Sequence, residues 1–183
     1  FTRMVFPAMG TECRLDFVAH SPARANQFEQ QIRNWVTEFE ARYSRFQPDS
    51  LVSRIGRVAG GDWVPIDPET EGLFKLCDWF YWTTQGVFDP TALPLLLLWD
   101  YHGSQPQVPS AEKIRDALAL VGWKKLQREP GRVRLSEAGM GIDLGGIAKE
   151  YAVDRVLEMA LQEGIEHIMV NFGHDLRVHG SAP

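Results

Sequence analysis

Gly139-Met140-Gly141-Ile142-Asp143-Leu144-Gly145-Gly146-Ile147-Ala148-Lys149-Glu150-Tyr151 is the stretch on which the reading of this chain turns. A short apolar strand is expected to run through two adjacent glycines into a helix, with a lysine one turn inside. Such a junction can receive a phosphate. Glycines let backbone N–H groups approach a ligand, a helix start favours negative charge, and lysine adds a full positive charge. Two standard templates are not met. A dinucleotide fingerprint starting at Gly139 needs a glycine at position 144, where Leu144 stands. A Walker-type loop starting at Gly141 needs lysine and then serine or threonine directly after Gly146, where Ile147 and Ala148 stand. The alternative is that Lys149 is a solvated surface side chain and the glycines only permit tight strand–helix packing.

Downstream, Ala152, Val153, Val156, Leu157, Ala160 and Leu161 recur at helical spacing, and Gly164 ends the helix. Ile165 to Phe172 is a β-rich run ending in Gly173-His174-Asp175, and Leu176 to His179 is a further strand. At the other end of the chain, Cys13, Leu15 and Phe17 alternate with polar residues, so 12–18 reads as a half-buried strand. Residues 3–8 are expected to pair with it, with Met9-Gly10-Thr11 at the bend. Ser21-Pro22 opens a helix to about residue 45, whose apolar face is Phe28, Ile32, Trp35, Val36, Phe39 and Tyr43.

Residues 46–66 read as irregular. Asp67-Pro68 starts a second helix, with Leu73, Phe74, Cys77, Phe80, Tyr81 and Thr84 on one face and Gly86 as terminator. Residues 87–109 read as a long functional loop that includes Trp99-Asp100-Tyr101-His102-Gly103. A third helix runs from Ser110 to Gly122, and Trp123–Gln127 with Arg132–Ser136 forms a hairpin around Pro130-Gly131.

Composition limits the function classes. The 183 residues suffice for one domain, and 44% hydrophobic with 23% charged is a globular balance that excludes disorder. A net charge of -5 argues against nucleic acid or an anionic membrane as a general partner. Two cysteines, Cys13 and Cys77, allow one bridge and exclude a disulfide framework. The longest apolar run, Ala92 to Trp99, contains Pro94 and is too short to span a bilayer. No signal peptide is visible, and the start at Phe1 leads us to expect a further segment upstream.

Several polar groups can carry chemistry, each with a plainer reading beside it. Asp143 sits between Ile142 and Leu144, where an unpartnered carboxylate is costly. It can bind a metal, hydrogen-bond a ligand or cap the next helix. Phe88-Asp89-Pro90-Thr91 places polar groups around a rigid proline, and its plainer reading is an Asx turn closed by Asp89. In Ser44-Arg45-Phe46-Gln47-Pro48-Asp49-Ser50, Asp49 or Ser50 reads as a helix cap. His174 and Asp175 point apart on a strand end and read as surface residues. CxxC, HExxH and GxSxG motifs are absent, so zinc and serine hydrolase readings have no support. Cys13 has a core-facing register and reads as inert.

The order of these segments carries more than any one of them. Met9-Gly10-Thr11, Tyr43 to Ser50, Val87 to Thr91 with Trp99, Ile142 to Lys149 with Tyr151-Ala152-Val153-Asp154, and Val170 to Asp175 together resemble the ApbE family over the whole chain. These are FAD:protein FMN transferases, formerly described as thiamine-biosynthesis lipoproteins. The resemblance implies a single α+β, T-fold-related domain over residues 1–183, a mostly antiparallel sheet with packed helices that is expected to lack its C-terminal part. It implies FAD as substrate and Mg²⁺. The expected activity is transfer of the FMN phosphoryl group to a Thr or Ser of a partner flavoprotein, with release of AMP. By the same resemblance FAD contacts fall at Met9, Phe46, Val87, Phe88, Asp89, Asp143 and Lys149, and Gly146 offers Mg²⁺ a backbone carbonyl. The family's place in the cell envelope, on the periplasmic side, implies membrane association only through a lipid anchor upstream.

Four departures from the family pattern stand out. Phe46 replaces a frequent Tyr, keeping a ring and losing a hydroxyl. Glu150 replaces a Gly and brings negative charge beside Lys149. His174 replaces the second Gly of a Gly-Gly-Asp turn. The Asp and Thr that complete the family's metal site are expected beyond Pro183, so little transferase activity is expected of these 183 residues alone. Three functions therefore compete: a transferase, a member that binds or hydrolyses FAD, and a remnant or interaction domain without transferase activity.

Overall fold

Strand 12–18 does find its partner. In the computed structural model, which describes residues 1–99 and 108–181, β1 (Thr2–Ala8) and β2 (Thr11–Phe17) form an antiparallel hairpin with Ala8 opposite Thr11. The two turn residues, Met9 (φ 51) and Gly10 (φ 69), both have positive φ, the pattern whose twist suits a two-residue hairpin loop. Methionine in that region carries about 1 kcal/mol of backbone strain.

The chain divides into two compact units, one of residues 1–43 with 147–183 and one of residues 44–146. In the first, β2 pairs with β6 (Ile168–Phe172), which pairs with β7 (Asp175–His179). The sheet order is β1-β2-β6-β7 and every pairing is antiparallel. Cys13, Leu15 and Phe17 lie opposite Phe172, Val170 and Ile168. All six side chains are buried, so one alternating face makes a continuous apolar surface. Helices α1 (Pro22–Tyr43) and α6 (Ala148–Gln162) pack on this sheet and on each other. Phe17 meets Phe28 edge-on at 5.2 Å, and Phe39 stacks on Tyr151 at 5.9 Å. The α6 face is as expected except for Leu161, which is exposed. Asp16 is buried in β2 because Arg3 and Arg14 both pair with it.

In the second unit, α3 (Pro68–Thr83) begins at Asp67, whose carboxylate accepts the Thr70 N–H at 2.8 Å. Leu73, Phe74 and Cys77 are buried, and Phe74 meets Trp123 edge-on at 5.6 Å. The sheet here has order β3-β5-β4, from β3 (Val64–Pro65), β4 (Leu126–Glu129) and β5 (Arg132–Leu135).

Four local expectations change. Residues 51–57 form a helix, α2 (Leu51–Arg57), capped by Ser50 through the Ser53 N–H. Its seven residues give too few turns for periodicity to speak. Residues 90–92 form a 3₁₀ turn that leads into α4 (Leu93–Leu96), so 87–99 is less of an open loop than expected. Asp100-Tyr101-His102-Gly103 lies outside the described residues. Helix α5 (Ala111–Ala119), capped by Ser110, ends before Gly122, and Trp123–Lys125 is a 3₁₀ turn, so the hairpin begins at Leu126. Residues 140–144 are not a strand, although Met140, Ile142 and Leu144 are buried. Both cysteines are free, so no bridge links them.

Among the described residues no helix is long and apolar enough to cross a membrane.

Candidate functional site

In the second unit Asp143 is tied down through both its backbone N–H and its carboxylate. Its backbone N–H donates to the Pro90 carbonyl at 2.8 Å, which fastens it to the Phe88–Thr91 segment. Its carboxylate pairs with the Arg45 guanidinium at 2.8 Å, and both side chains are mostly buried. The other carboxylate oxygen accepts the Gly145 N–H at 2.6 Å, an Asx turn. Asp143 therefore does not cap α6. The Gly145 N–H is committed to Asp143 rather than free for a phosphate. A Cβ on Gly145 would come 2.9 Å from Asp143 Oδ1, so a side chain there would push the turn open.

Phe88 and Gly146 lie together, since a Cβ on Gly146 would sit 3.6 Å from the Phe88 ring. Gly145 and Gly146 are both exposed. Arg45 also lies over the Phe46 ring at 4.2 Å, and Phe46 is 79% exposed, an aromatic face open to a planar ligand. Phe46, Arg45, Asp143, Gly145, Gly146 and Phe88 thus lie along one surface of this unit. A cavity of about 240 Å³ opens beside Arg45, lined also by Ser53, Gly56, Leu93 and Gly141. That is below the usual range for a whole organic ligand, so it can take only a portion of a dinucleotide.

Asp89 does a different job. Oδ1 accepts the Thr91 N–H at 2.8 Å and the Thr91 hydroxyl at 2.5 Å, and Oδ2 accepts the Trp123 N–H at 3.0 Å. Thr91, fully buried, accepts the Gly122 N–H at 2.7 Å. The Asx-turn reading of Asp89 holds, and both carboxylate oxygens serve the fold. Val87 is 90% exposed and is not drawn into this network.

In the first unit, Met9 lies in the β1–β2 turn and Lys149 in the first turn of α6. The turn Gly173-His174 between β6 and β7 lies against the β1–β2 turn: the Gly173 N–H donates to the Glu12 carbonyl at 3.2 Å. A Cβ on Gly173 would stand 2.5 Å from Thr11 Oγ1, so only glycine permits this approach. His174 keeps the glycine-like conformation, φ 82, and its N–H donates to the Asn171 side chain at 3.0 Å. The Cys13 thiol is pushed up to about 11 by burial and then by Glu40, while the Lys149 charge partly offsets this. Burial and then the Asp78 charge push Cys77 up to about 12, so neither thiol is a nucleophile near neutrality. The α6 N-cap is Ile147, with no side-chain hydrogen bond to the first turn. The leading N–H groups of α6 are thus left without a side-chain acceptor, beside Lys149, as an anion site requires.

The described residues do not by themselves make a metal cage. No group of three or more His, Cys, Asp or Glu side chains among them could hold a metal ion. The Asp143 carboxylate is taken up by Arg45 and Gly145. A hard cation with near-octahedral demand would find only isolated oxygens such as the Gly146 carbonyl. Arg45 was not singled out from the sequence as a site residue, although its motif was, because its partner lies far along the chain.

The chain is similar to the FAD:protein FMN transferase of Vibrio cholerae serotype O1, 25% identical over 177 residues, with 95% of this chain and 53% of the relative covered. It is 29% identical over 176 residues to that of Klebsiella pneumoniae, with 94% and 54% covered. Two solved structures superpose closely. The flavinyl transferase ApbE of Pseudomonas stutzeri, in its apo form, gives a TM-score of 0.90 at 26% identity, covering 100% of this chain and 58% of that one. The ApbE protein of Thermotoga maritima gives 0.86 at 32% identity, covering 98% and 59%. The chain spans about half the length of the curated relatives it matches. A model of the ApbE family matches residues 9–183, and the chain belongs to that family.

Proposed function

We propose that this chain belongs to an FAD:protein FMN transferase that acts on a flavoprotein acceptor. The observation that carries the reading is the junction at 143–149. There α6 begins with first N–H groups that lack a side-chain cap, its second residue is Lys149, and the two residues before Ile147 in the sequence are glycines. Anionic pyrophosphate is the ligand such a junction suits, and positioning with charge stabilisation carries most of phosphoryl transfer. Phe46 and Phe88 offer aromatic faces, and Met9, Val87, Asp89 and Asp143 are the further FAD contacts proposed. The geometry favours an indirect part for Asp89 and Asp143, which orient Thr91, Gly145 and Arg45.

In the proposed step the acceptor hydroxyl oxygen attacks the FMN-side phosphorus. A new P–O bond forms to Thr or Ser, the bond to the bridging oxygen breaks, AMP leaves with that oxygen, and the hydroxyl proton passes to solvent. Mg²⁺ is proposed as a requirement and would supply countercharge to the pyrophosphate. It would be held mainly by phosphate oxygens and water, with Gly146 adding one carbonyl. Action at the cell envelope, on the periplasmic side and through a lipid anchor, is proposed from family membership and is checked by cell fractionation.

The test uses the complete protein, FAD labelled in its flavin and a Thr-containing acceptor flavoprotein. Flavin covalently attached to the acceptor, with one AMP per transfer, is expected. A chelator should abolish it. AMP release with unlabelled acceptor would instead favour FAD hydrolysis. Tight FAD binding without AMP would favour a binding protein.

A further inference from the structure

We propose that the solvent face of α3 docks the acceptor polypeptide through Trp79 and Trp82, with Lys75 and Lys124 selecting an acidic, apolar-bearing segment. This rests on the transferase reading above, which demands a macromolecular substrate.

The buried face of α3 is Leu73, Phe74 and Cys77. Lys75, Trp79 and Trp82 follow at i, i+4 and i+7, and so share the opposite face. Trp79 is 58% exposed and Trp82 61% exposed. Together they leave on the order of 300 Å² of aromatic surface open, a size at which a patch on a soluble protein is often functional. Val87, 90% exposed, follows just beyond the helix end. Tryptophan is among the residues most enriched at interface hot spots.

Two observations choose the occupant. The first is continuity with the candidate site. Trp79 packs edge-on against Phe80 at 4.8 Å, Phe80 meets Phe88 at 5.8 Å, and Phe88 lies against Gly146. Trp79 is thus the outer end of a row of aromatics whose inner end is the glycine loop, and Trp82 follows one turn along the same helix face. A partner seated on them has its neighbouring residues beside that loop, as a hydroxyl acceptor must. The second is charge. Lys124 stands over the Trp82 ring at 4.6 Å, and Lys75 is exposed on the same helix face. Of the α3 carboxylates beside Lys75, Asp78 is paired with Arg128 at 2.5 Å and accepts the Trp123 indole N–H at 2.7 Å, while Glu71 lines the same groove as Lys75 and offsets its charge. Lys124 therefore leaves positive charge at the Trp82 end of the patch, on a chain whose net charge is -5, which favours a short acidic segment there.

The test compares the complete protein with its Trp79→Ala, Trp82→Ala double variant and with Lys75→Glu, Lys124→Glu. All four side chains are exposed, so melting temperatures should stay near wild type. The tryptophan variant should raise KM for the acceptor flavoprotein at least about tenfold. FAD affinity, and kcat at saturating acceptor, should be unchanged. The lysine variant should raise KM less, and should lose the salt dependence of acceptor binding. Unchanged KM in the tryptophan variant overturns the proposal. So does a loss of binding to vesicles of anionic lipid, or a shift from dimer to monomer, with KM unchanged, because the patch then serves a membrane or a second copy. Absence of transfer by the wild type would strike the transferase reading instead. Acceptor binding measured directly by calorimetry still reports on the docking face in that case.

Discussion

Replacing Asp89 by alanine separates a structural carboxylate from a ligand contact. The side chain accepts three hydrogen bonds, two from Thr91 and one from the Trp123 N–H. A bond to a charged acceptor contributes about 1.5–3 kcal/mol. The three share one group, so their contributions do not simply add. Removal strands the Trp123 N–H at a residue only 3% exposed and leaves the buried Thr91 hydroxyl without its acceptor. We expect a loss of about 3–5 kcal/mol, against a total stability of roughly 5–15 kcal/mol. For a chain of this size that is a fall of roughly 10–15 °C in Tm. Asp89→Asn keeps one acceptor for Thr91 but turns an NH₂ group towards the Trp123 N–H, and should cost about 2 kcal/mol. Urea unfolding followed by tryptophan fluorescence reads both. The reasoning is refuted if Asp89→Ala unfolds within about 1 kcal/mol of wild type while FAD affinity collapses, because the carboxylate would then serve the ligand and not the fold.

Four further outcomes are expected. His174→Gly should raise stability by about 0.5–1 kcal/mol in thermal melts, because it relieves a Cβ at φ 82; a destabilised variant would mean that the imidazole makes a contact outweighing the strain. Lys149→Ala should weaken FAD binding about tenfold in a fluorescence titration without lowering Tm, whereas equal affinity would remove the lysine from the phosphate site. Burial raises the Asp16 carboxyl, but hydrogen bonds from Arg3 and Arg14 more than offset it, leaving it below 3.8. Its contribution is therefore present above pH 3.8 and lost as pH falls through the lower folded value, so the stability gap between wild type and Asp16→Asn should close in acid; a gap independent of pH would contradict the pairing. With thiols at about 11 and about 12, Cys13 and Cys77 should resist a thiol reagent at pH 8 and react fully in guanidinium, and rapid labelling of the native protein would show the burial to be wrong.

The amino-acid sequence determined the elements whose signals are local and repeated. The faces of α1 and α6 were legible because Phe28, Ile32, Val36 and Phe39, and Ala152, Val153, Val156 and Leu157, recur over several turns. The β1–β2 hairpin was legible from alternation closing on Met9-Gly10, and the order of motifs was enough to name the family. What was not legible depends on partners distant in sequence. Residues 140–144 are as apolar as a strand, but a strand exists only where another pairs with it, and among the described residues none does. Arg45 and Asp143 look like ordinary charges until folding sets them 2.8 Å apart, which turns Asp143 from a free carboxylate into half of an ion pair. Asp89 belongs to the fold because Trp123 arrives beneath it. Trp79 and Trp82 are tryptophans like Trp123 in the sequence, yet only Trp123 is buried. Composition says that a ring prefers to leave water, and tertiary packing decides which rings are given the room to do so.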